Sequence, residues 1–152
     1  MGRPERGTIR PYAEDDLASV LEVWYRASLI AHAFVPEGFF ERERAEITDR
    51  LMPIAETTVY EIDDTIVGFV STIGNEVGAI FVDPDSQGAG IGRALMDAVS
   101  VSRPYLELNV FERNEIGRRF YDAYGFEFKS RHHNLVAGEP ELRLRFAPSH
   151  RS

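Results

Sequence analysis

Apolar residues recur at the three- and four-residue spacing of a buried helical face in four stretches of the chain. The first stretch follows Asp15 and Asp16, which are suited to cap a helix and to complement its dipole. The third begins at Ile91, and the fourth is followed by Gly125, a residue type that commonly ends helices. The pattern predicts four helices, over about residues 17–28, 38–52, 91–99 and 114–124.

Shorter apolar or alternating segments between the helices predict strands. Asp63-Asp64 and Gly74-Asn75 are placed as turns that join three of these strands, so the three are expected to run antiparallel. The strands are predicted over residues 8–11, 57–62, 66–73, 77–82, 106–110, 126–131 and 141–146. This order predicts an α+β fold around one mixed sheet, with a single domain over residues 8–147 and tails at residues 1–7 and 148–152.

Composition narrows the classes of function. The 152 residues are 43% hydrophobic and 28% charged, which is ordinary for a globular domain with one core. The net charge of −8 disfavours nucleic acid as a partner, because the phosphate backbone would be repelled, and it favours cations such as protonated amines. The chain has no cysteine, which excludes disulfides, thiolate zinc sites and a cysteine nucleophile.

Location and metal binding are inferred from what the sequence lacks. No apolar run approaches the roughly 20 residues of a membrane helix, and no signal sequence is visible. A cytoplasmic protein without a membrane partner is therefore expected. His132 and His133 are adjacent, and adjacent side chains of a strand point to opposite faces, so no metal site is expected.

A strand, an acidic turn, a glycine-rich loop and a helix follow one another between residues 78 and 95. Gly88, Gly90 and Gly92 leave the backbone bare where the chain enters the helix. The first N–H groups of a helix lack internal acceptors and carry the positive end of its dipole. The arrangement favours binding of an anion such as phosphate, and tight packing is the alternative reason for such a loop.

Three phosphate-binding patterns compete for this loop. A P-loop requires Lys-Ser or Lys-Thr, and neither pair occurs in the loop. The dinucleotide fingerprint requires a glycine where Arg93 stands. The pattern Gln/Arg-x-x-Gly-x-Gly/Ala is met by Gln87, Gly90 and Gly92. It resembles the pyrophosphate-binding loop of the GNAT family of acyl-CoA-dependent N-acyltransferases.

A second segment, residues 109–126, strengthens this resemblance. It is similar to the GNAT signature Asn-x-x-Ala-x-x-x-Tyr-x-x-x-Gly-Phe, matched by Asn114, Tyr121, Gly125 and Phe126, with Gly117 where alanine is usual. The glycine lowers helix propensity by roughly 1 kcal/mol. The order of elements from residue 9 to residue 146 also matches the family. The resemblance implies an α/β/α layered fold, with a mixed, mainly antiparallel central sheet flanked by helices.

The resemblance implies acetyl-CoA as the co-substrate and no metal. The pyrophosphate is expected on the backbone of the glycine loop and the pantetheine arm along the central strand. Asn114 is expected to bond this arm or to cap its helix, two roles that are compatible. A backbone N–H near Val82 is expected to stabilise the oxyanion. The expected cofactor-binding residues are Ile80, Phe81, Val82, Gln87, Gly88, Ala89, Gly90, Ile91, Gly92, Arg93, Asn114 and Tyr121.

The resemblance also implies direct transfer of an acetyl group to a primary amine in a ternary complex. Tyr121 stands at the position of the family's general acid, and a core aromatic is the alternative interpretation. Glu76 ranks first as the general base, ahead of Glu107, Asn109, His32 or a chain of water molecules. The turn between the first two helices predicts one wall of the acceptor pocket, and the expected pocket residues are His32, Phe34, Glu107 and Asn109. A structural histidine is the alternative for His32.

Two rival functions stay open from the sequence. A non-catalytic acyl-CoA-binding or regulatory module would share the same fold. A nucleotide-binding oxidoreductase is weakened by Arg93 at the third glycine position of the dinucleotide fingerprint. The acceptor amine carries no sequence motif, and a homodimer through the terminal strands is left open.

Overall fold

A computed structural model of the protein describes residues 7–148. These residues form seven strands and four helices, with short 3-10 turns at residues 14–16 and 84–86. The strands are β1 (Gly7–Pro11), β2 (Glu56–Ile62), β3 (Thr65–Ile73), β4 (Glu76–Val82), β5 (Leu106–Phe111), β6 (Glu127–Asn134) and β7 (Glu139–Phe146). The helices are α1 (Leu17–Ala31), α2 (Phe39–Glu46), α3 (Ile91–Ser100) and α4 (Glu115–Tyr124).

Each predicted helix and strand is present, with differences at the ends. β1 begins at Gly7, one residue inside the predicted tail. The second predicted helix is divided, because α2 continues as a π turn over Ile47–Leu51 in which the Met52 N–H donates to the Ile47 carbonyl at 2.9 Å. The rest of the predicted tails, apart from Pro148, lies outside the described residues. Within residues 7–148, no helix has both the length and the apolar character needed to cross a membrane.

One sheet contains all seven strands, in the order β1-β2-β3-β4-β5-β7-β6. The pairing of β4 with β5 is parallel and the other pairings are antiparallel. Asp63 and Asp64 both adopt positive φ, of 50° and 64°, which is the two-residue turn that suits the twist of a β hairpin. The α+β fold with a mixed, mainly antiparallel sheet is confirmed.

The sheet separates two apolar cores. On one face, α1 packs Val20 and Trp24 onto Val59 and Phe69 of β2 and β3. On the other face, α3 packs its buried residues onto strands β3 to β5 and β7, and α4 lies beside it. Leu95 of α3 has no exposed surface. The helices therefore form two layers around the central sheet, which is the α/β/α arrangement that the resemblance implies.

A β-bulge at Gly78 changes which face of the sheet each residue of β4 contacts. The β3–β4 register shifts between Ser71 and Thr72, so that Ser71 pairs with Ala79 and Thr72 pairs with Val77. Val77 consequently packs in the α3 core and Ala79 in the α1 core, although two residues apart on a regular strand share a face. A Cβ at Gly78 would lie 2.9 Å from the Leu51 Cδ1 atom, so a side chain here would displace the Leu51 side chain of the π turn.

Candidate active site

The site begins where β4 and β5 separate. The two strands pair only at Glu76 and Glu107, next to a hydrogen bond that the Glu107 N–H donates to the Asn75 carbonyl at 2.9 Å. Beyond this point the β5 side of β4 has no strand partner among the residues that the structure describes. A strand edge without a partner presents free N–H and C=O groups to an extended ligand. The resemblance places the pantetheine arm along the central strand, and the β5 side of that strand beyond Glu76 is not covered by another strand of residues 7–148.

An ion-pair network holds the strands together at the base of this gap. Arg143 of β7 donates from both terminal nitrogens to the carboxylate of Glu76, one bond measuring 2.8 Å. It also donates to Glu107 at 2.9 Å, and Arg145 donates to the second oxygen of Glu107 at 3.0 Å. Hydrogen bonds from Arg143 and then Arg145 lower the pKa of Glu107. Both oxygens of Glu76 are thus engaged by a guanidinium, and its role as general base stays a prediction.

The glycine loop enters α3 with an exposed backbone. Gly88 and Gly90 adopt positive φ, of 87° and 82°, and a Cβ at either position would meet nothing within 4 Å. The first hydrogen bond of α3 runs from the Ala94 N–H to the Gly90 carbonyl at 3.0 Å. The N–H groups of residues 91–93 therefore precede the bonded part of the helix, at the positive end of its dipole.

The acidic turn before the loop is anchored to α1. Arg26 donates to Asp83 at 2.7 Å and to Asp85 at 2.9 Å. Gln87 folds back, and its Nε2 donates to the Val82 carbonyl at 3.0 Å. These contacts fix the start of the loop relative to β4, so that the exposed backbone faces the strand gap.

Packing explains the third glycine of the loop. A Cβ at Gly92 would lie 3.1 Å from the ring of Phe120, so glycine lets α3 and α4 approach closely. Arg93 lies over the ring of Tyr124, with 5.1 Å between its Cζ atom and the ring centroid. Both interpretations of the glycines therefore apply. The backbone at Gly88 and Gly90 is open, and Gly92 allows tight packing of α3 against α4.

Asn114 caps α4, as expected for one of its two roles. Its Oδ1 accepts a hydrogen bond from the Gly117 N–H at 2.9 Å. This bond identifies the other side-chain atom as the amide nitrogen, which therefore donates to His32 Nε2 across 3.4 Å. A Cβ at Gly117 would lie 2.5 Å from Asn114 Nδ2, so an alanine here would require the capping side chain to shift.

Tyr121 lies on the inner face of α4 and lines the same cavity as the glycine loop and the separated part of β4. Its ring packs against Phe120 and Phe126, with centroids 5.4 and 5.6 Å away. Burial raises the pKa of the phenol well above its ordinary value, so the hydroxyl carries its proton at neutral pH. Within residues 7–148, no hydrogen bond of this hydroxyl to another protein group is present.

His32 follows the last turn of α1 and lies among aromatic rings. The ring centroids of Phe111, Phe34 and Phe81 are 5.1, 6.2 and 6.2 Å away. Burial lowers the pKa of His32 to about 4, so the ring is neutral at physiological pH. Neutrality agrees with the hydrogen bond from Asn114, because Nε2 must be unprotonated to accept it.

The predicted pocket residues separate into two groups. His32 and Asn109 line the cavity, whereas Phe34 and Glu107 are not among its lining residues. Phe34 lies behind the wall, 5.5 Å from the ring of Phe111 and beneath the guanidinium of Arg113. Glu107 is turned toward the arginines of β7.

Glu43 of α2 is a cavity residue that the sequence interpretation missed. Phe39, Glu43 and Ile47 are four residues apart and share one side of the helix, and both apolar members are 4% exposed. Burial, followed by the charges of Glu46 and Glu141, raises the pKa of Glu43. The available signal was a carboxylate on the apolar stripe of a helix.

One cavity of about 870 Å³ joins these features. Its wall includes the glycine loop and α4 at one end, the separated segment of β4 in the middle, and α1 and α2 at the other end. The predicted site residues on this wall are Glu76, Ile80, Phe81, Val82, Gln87, Gly88, Gly90, Ile91, Gly92, Arg93, Asn109, Asn114, Tyr121 and His32. In the part of the chain that the structure describes, no group of three or more His, Asp or Glu side chains is placed to hold a metal ion.

Comparison with known proteins agrees with this geometry. A family model for the GNAT acetyltransferase domain matches residues 53–128, which is half of the chain. The chain is 33% identical over 119 residues to the peptidyl-lysine N-acetyltransferase YiaC of Escherichia coli, covering 78% of this chain and 82% of the relative. It is 29% identical over 141 residues to the peptidyl-lysine N-acetyltransferase YjaB of Escherichia coli, covering 92% of this chain and 95% of the relative.

Solved structures show the same fold. The apo form of Escherichia coli YjaB superposes with a TM-score of 0.81 at 28% identity, covering 92% of this chain and 97% of that chain. The PaiA N-acetyltransferase of Thermoplasma acidophilum, solved in complex with coenzyme A, superposes with a TM-score of 0.75 at 19% identity. The match covers 92% of this chain and 99% of that chain.

The chain belongs to the GNAT family of acetyltransferases. It is an acetyl-CoA-dependent N-acetyltransferase with an amine acceptor. The non-catalytic alternative is not favoured, because the curated relatives are enzymes.

The depressed pKa of His32 predicts a specific loss of stability in acid. The unfolded chain gains this proton near pH 6.5, whereas the folded protein gains it only near pH 4. Stability from this group is therefore complete above pH 6.5 and falls by about 3 kcal/mol as the pH drops to 4. The unfolding free energy of His32→Gln, measured by urea unfolding between pH 7 and pH 4, is expected to lack the fall that His32 causes in the wild type.

The exposed His133 supplies the control. His133→Gln removes an exposed histidine of β6 and so controls for the loss of a histidine side chain as such. Parallel curves for wild type and His32→Gln would contradict the burial of a neutral His32.

Proposed function

We propose that the protein acetylates the ε-amino group of lysine side chains in peptides or proteins, by direct transfer from acetyl-CoA in a ternary complex. The observation that carries the proposal is the single cavity that joins the glycine loop to α1 and α2 through the gap between β4 and β5. A donor and an acceptor entering from opposite ends would meet beside β4. The relatives YiaC and YjaB are named peptidyl-lysine N-acetyltransferases, which supports lysine as the acceptor.

The donor end fits acetyl-CoA. The backbone N–H groups of residues 88–93 would hold the pyrophosphate, and the open space beside Gly88 and Gly90 leaves room for its oxygens. The edge of β4 at residues 80–82, apart from the Val82 carbonyl that accepts from Gln87, would pair with the amide groups of the pantetheine arm. When bound, acetyl-CoA supplies the acetyl group as a reactive thioester.

Tyr121 would donate a proton to the departing thiol sulfur. Its raised pKa keeps the phenol protonated at neutral pH, so its hydroxyl is available to hydrogen-bond the sulfur and protonate it as the carbon–sulfur bond breaks. The N–H near Val82 would stabilise the oxyanion of the attacked carbonyl. The chain has no cysteine to carry an acetyl group, which supports direct transfer.

The acceptor end combines apolar walls with negative charge. A lysine side chain offers four methylene groups and a terminal ammonium, and such side chains bury their stems against apolar surfaces. The cavity wall carries Ile30 of α1, Phe39 and Phe40 of α2, and Ile54 after the π turn. The net charge of −8 attracts cationic acceptors.

An acceptor comparison tests this function. The enzyme is given acetyl-CoA and a peptide with one lysine and a blocked N-terminus, and released CoA and the acetylated peptide are measured by thiol assay and mass spectrometry. CoA release and one acetyl group on the lysine nitrogen are expected. The same peptide with arginine in place of lysine is the control. Turnover of small polyamines with no turnover of lysine peptides would contradict the lysine assignment.

A matched pair of substitutions tests the phosphate loop. Asn and Asp have nearly equal size and both tolerate positive φ, and a side chain at Gly90 would meet no protein atom near its Cβ. Gly90→Asp places a negative charge beside the expected pyrophosphate, so it should weaken CoA binding about tenfold or more relative to Gly90→Asn. Calorimetric titration with CoA measures both. Equal affinities of the two variants would place the phosphates elsewhere.

A further inference from the structure

We propose that Glu43 is the general base that removes the proton from the acceptor amine. The assignment rests on the proposed acetylation of an amine in the cavity, and it places the base on α2 rather than at the start of β4. Glu43 lies between two buried residues, Phe39 and Ile47, on the side of α2 that faces the cavity. Its carboxylate therefore projects from the wall at the acceptor end.

Of the other carboxylates of the cavity wall, Glu76 and Glu141 are hydrogen-bonded, and the exposed Glu46 has only a loose contact with an arginine of the next helical turn. Both oxygens of Glu76 accept from Arg143. Glu141 is 2.9 Å from His132 Nε2, and Glu46 is 3.9 Å from Arg50. Among residues 7–148, the Glu43 carboxylate has neither a hydrogen bond nor an ion pair. An unpaired carboxylate can accept a proton without first losing a guanidinium partner.

The electrostatic surroundings of Glu43 agree with this role. The charged groups that face it are Glu46 from its own helix and Glu141 from β7, and both add to the effect of burial in raising its pKa. A carboxylate with a raised pKa holds a transferred proton better than an ordinary one. His32 is the poorer proton acceptor, because burial lowers its pKa to about 4.

The protons of the reaction balance with Glu43 in this role. The acceptor enters as an ammonium ion, and Glu43 takes one proton to leave a neutral amine. The amine nitrogen bonds to the thioester carbonyl carbon, the carbon–sulfur bond breaks, and Tyr121 gives its proton to the sulfur. The nitrogen then gives its second proton to the phenolate of Tyr121, and its third proton stays on the amide product. Glu43 releases the proton that it took to solvent.

The test is a pH series of kcat/KM for wild type, Glu43→Gln and Tyr121→Phe with the lysine peptide. Glu43→Gln must use amine that is already neutral, a fraction that rises about tenfold per pH unit below the lysine pKa near 10.4. A loss of about 10²-fold or more at pH 7 is expected, shrinking steadily toward pH 9.5. The loss in Tyr121→Phe should not shrink, because that substitution affects the departing thiol.

Matched controls separate a proton-transfer role from a structural one. Glu41→Gln changes an exposed carboxylate on the same helix outside the cavity wall and should keep wild-type rates. Glu43→Asp retains a carboxylate and should recover part of the rate at pH 7 with the wild-type shape of the pH profile. CoA affinity measured by calorimetry should be unchanged in each variant.

Two outcomes would overturn the assignment: wild-type rates in Glu43→Gln, or a loss that is the same at pH 7 and pH 9.5. If the wild-type enzyme does not turn over lysine peptides, the proposed acceptor is wrong. The same pH series with a primary amine that is turned over then decides the role of Glu43. Every primary amine must lose a proton from its ammonium form before it attacks.

Discussion

The separation of β4 from β5 is the constraint on which the site depends. A regular parallel pair would use the edge of β4 for hydrogen bonds within the sheet and leave no passage between its two faces. Here the pairing stops after Glu76 and Glu107, and the bulge at Gly78 redirects the following residues of β4. The ion pairs of Arg143 hold the strands together at the base of the gap. The open edge of β4 thus begins next to a strand pair that these ion pairs hold in place.

Charge is distributed along the cavity so that its two ends suit different ligands. The N-terminus of α3 presents N–H groups and the positive end of a dipole, which suits a pyrophosphate. The opposite end presents carboxylates, among which Glu43 lacks a cationic partner within residues 7–148. Burial then sets the protonation state of the groups between the ends: Tyr121 keeps its proton, and His32 stays neutral.

Local patterns in the sequence were sufficient to predict the elements and the glycine loop. Helical stripes, the Asp63-Asp64 turn and the positive-φ positions Gly88 and Gly90 depend on neighbours within a few residues. The Gly78 bulge could not be predicted, because it is defined by the register of β4 against β3 and by contact with Leu51.

Long-range partners account for the parts of the site that the sequence did not reveal. Glu76 and Arg143 are 67 residues apart, so nothing near Glu76 indicates that its carboxylate is engaged. The environment of Glu43 includes Glu141 of β7, a strand near the other end of the described chain. The contact between position 117 and the Asn114 cap likewise depends on the conformation of the capping side chain.

Backbone hydrogen exchange with and without CoA reports on the strand edge and the loop together. Slower exchange of the amides of residues 80–82 and 88–93 is expected when CoA binds, with β6 at the far edge of the sheet unchanged. Saturating CoA that leaves both segments unprotected, or protects a different surface, would contradict the assignment of the β4 edge and the glycine loop as the donor site.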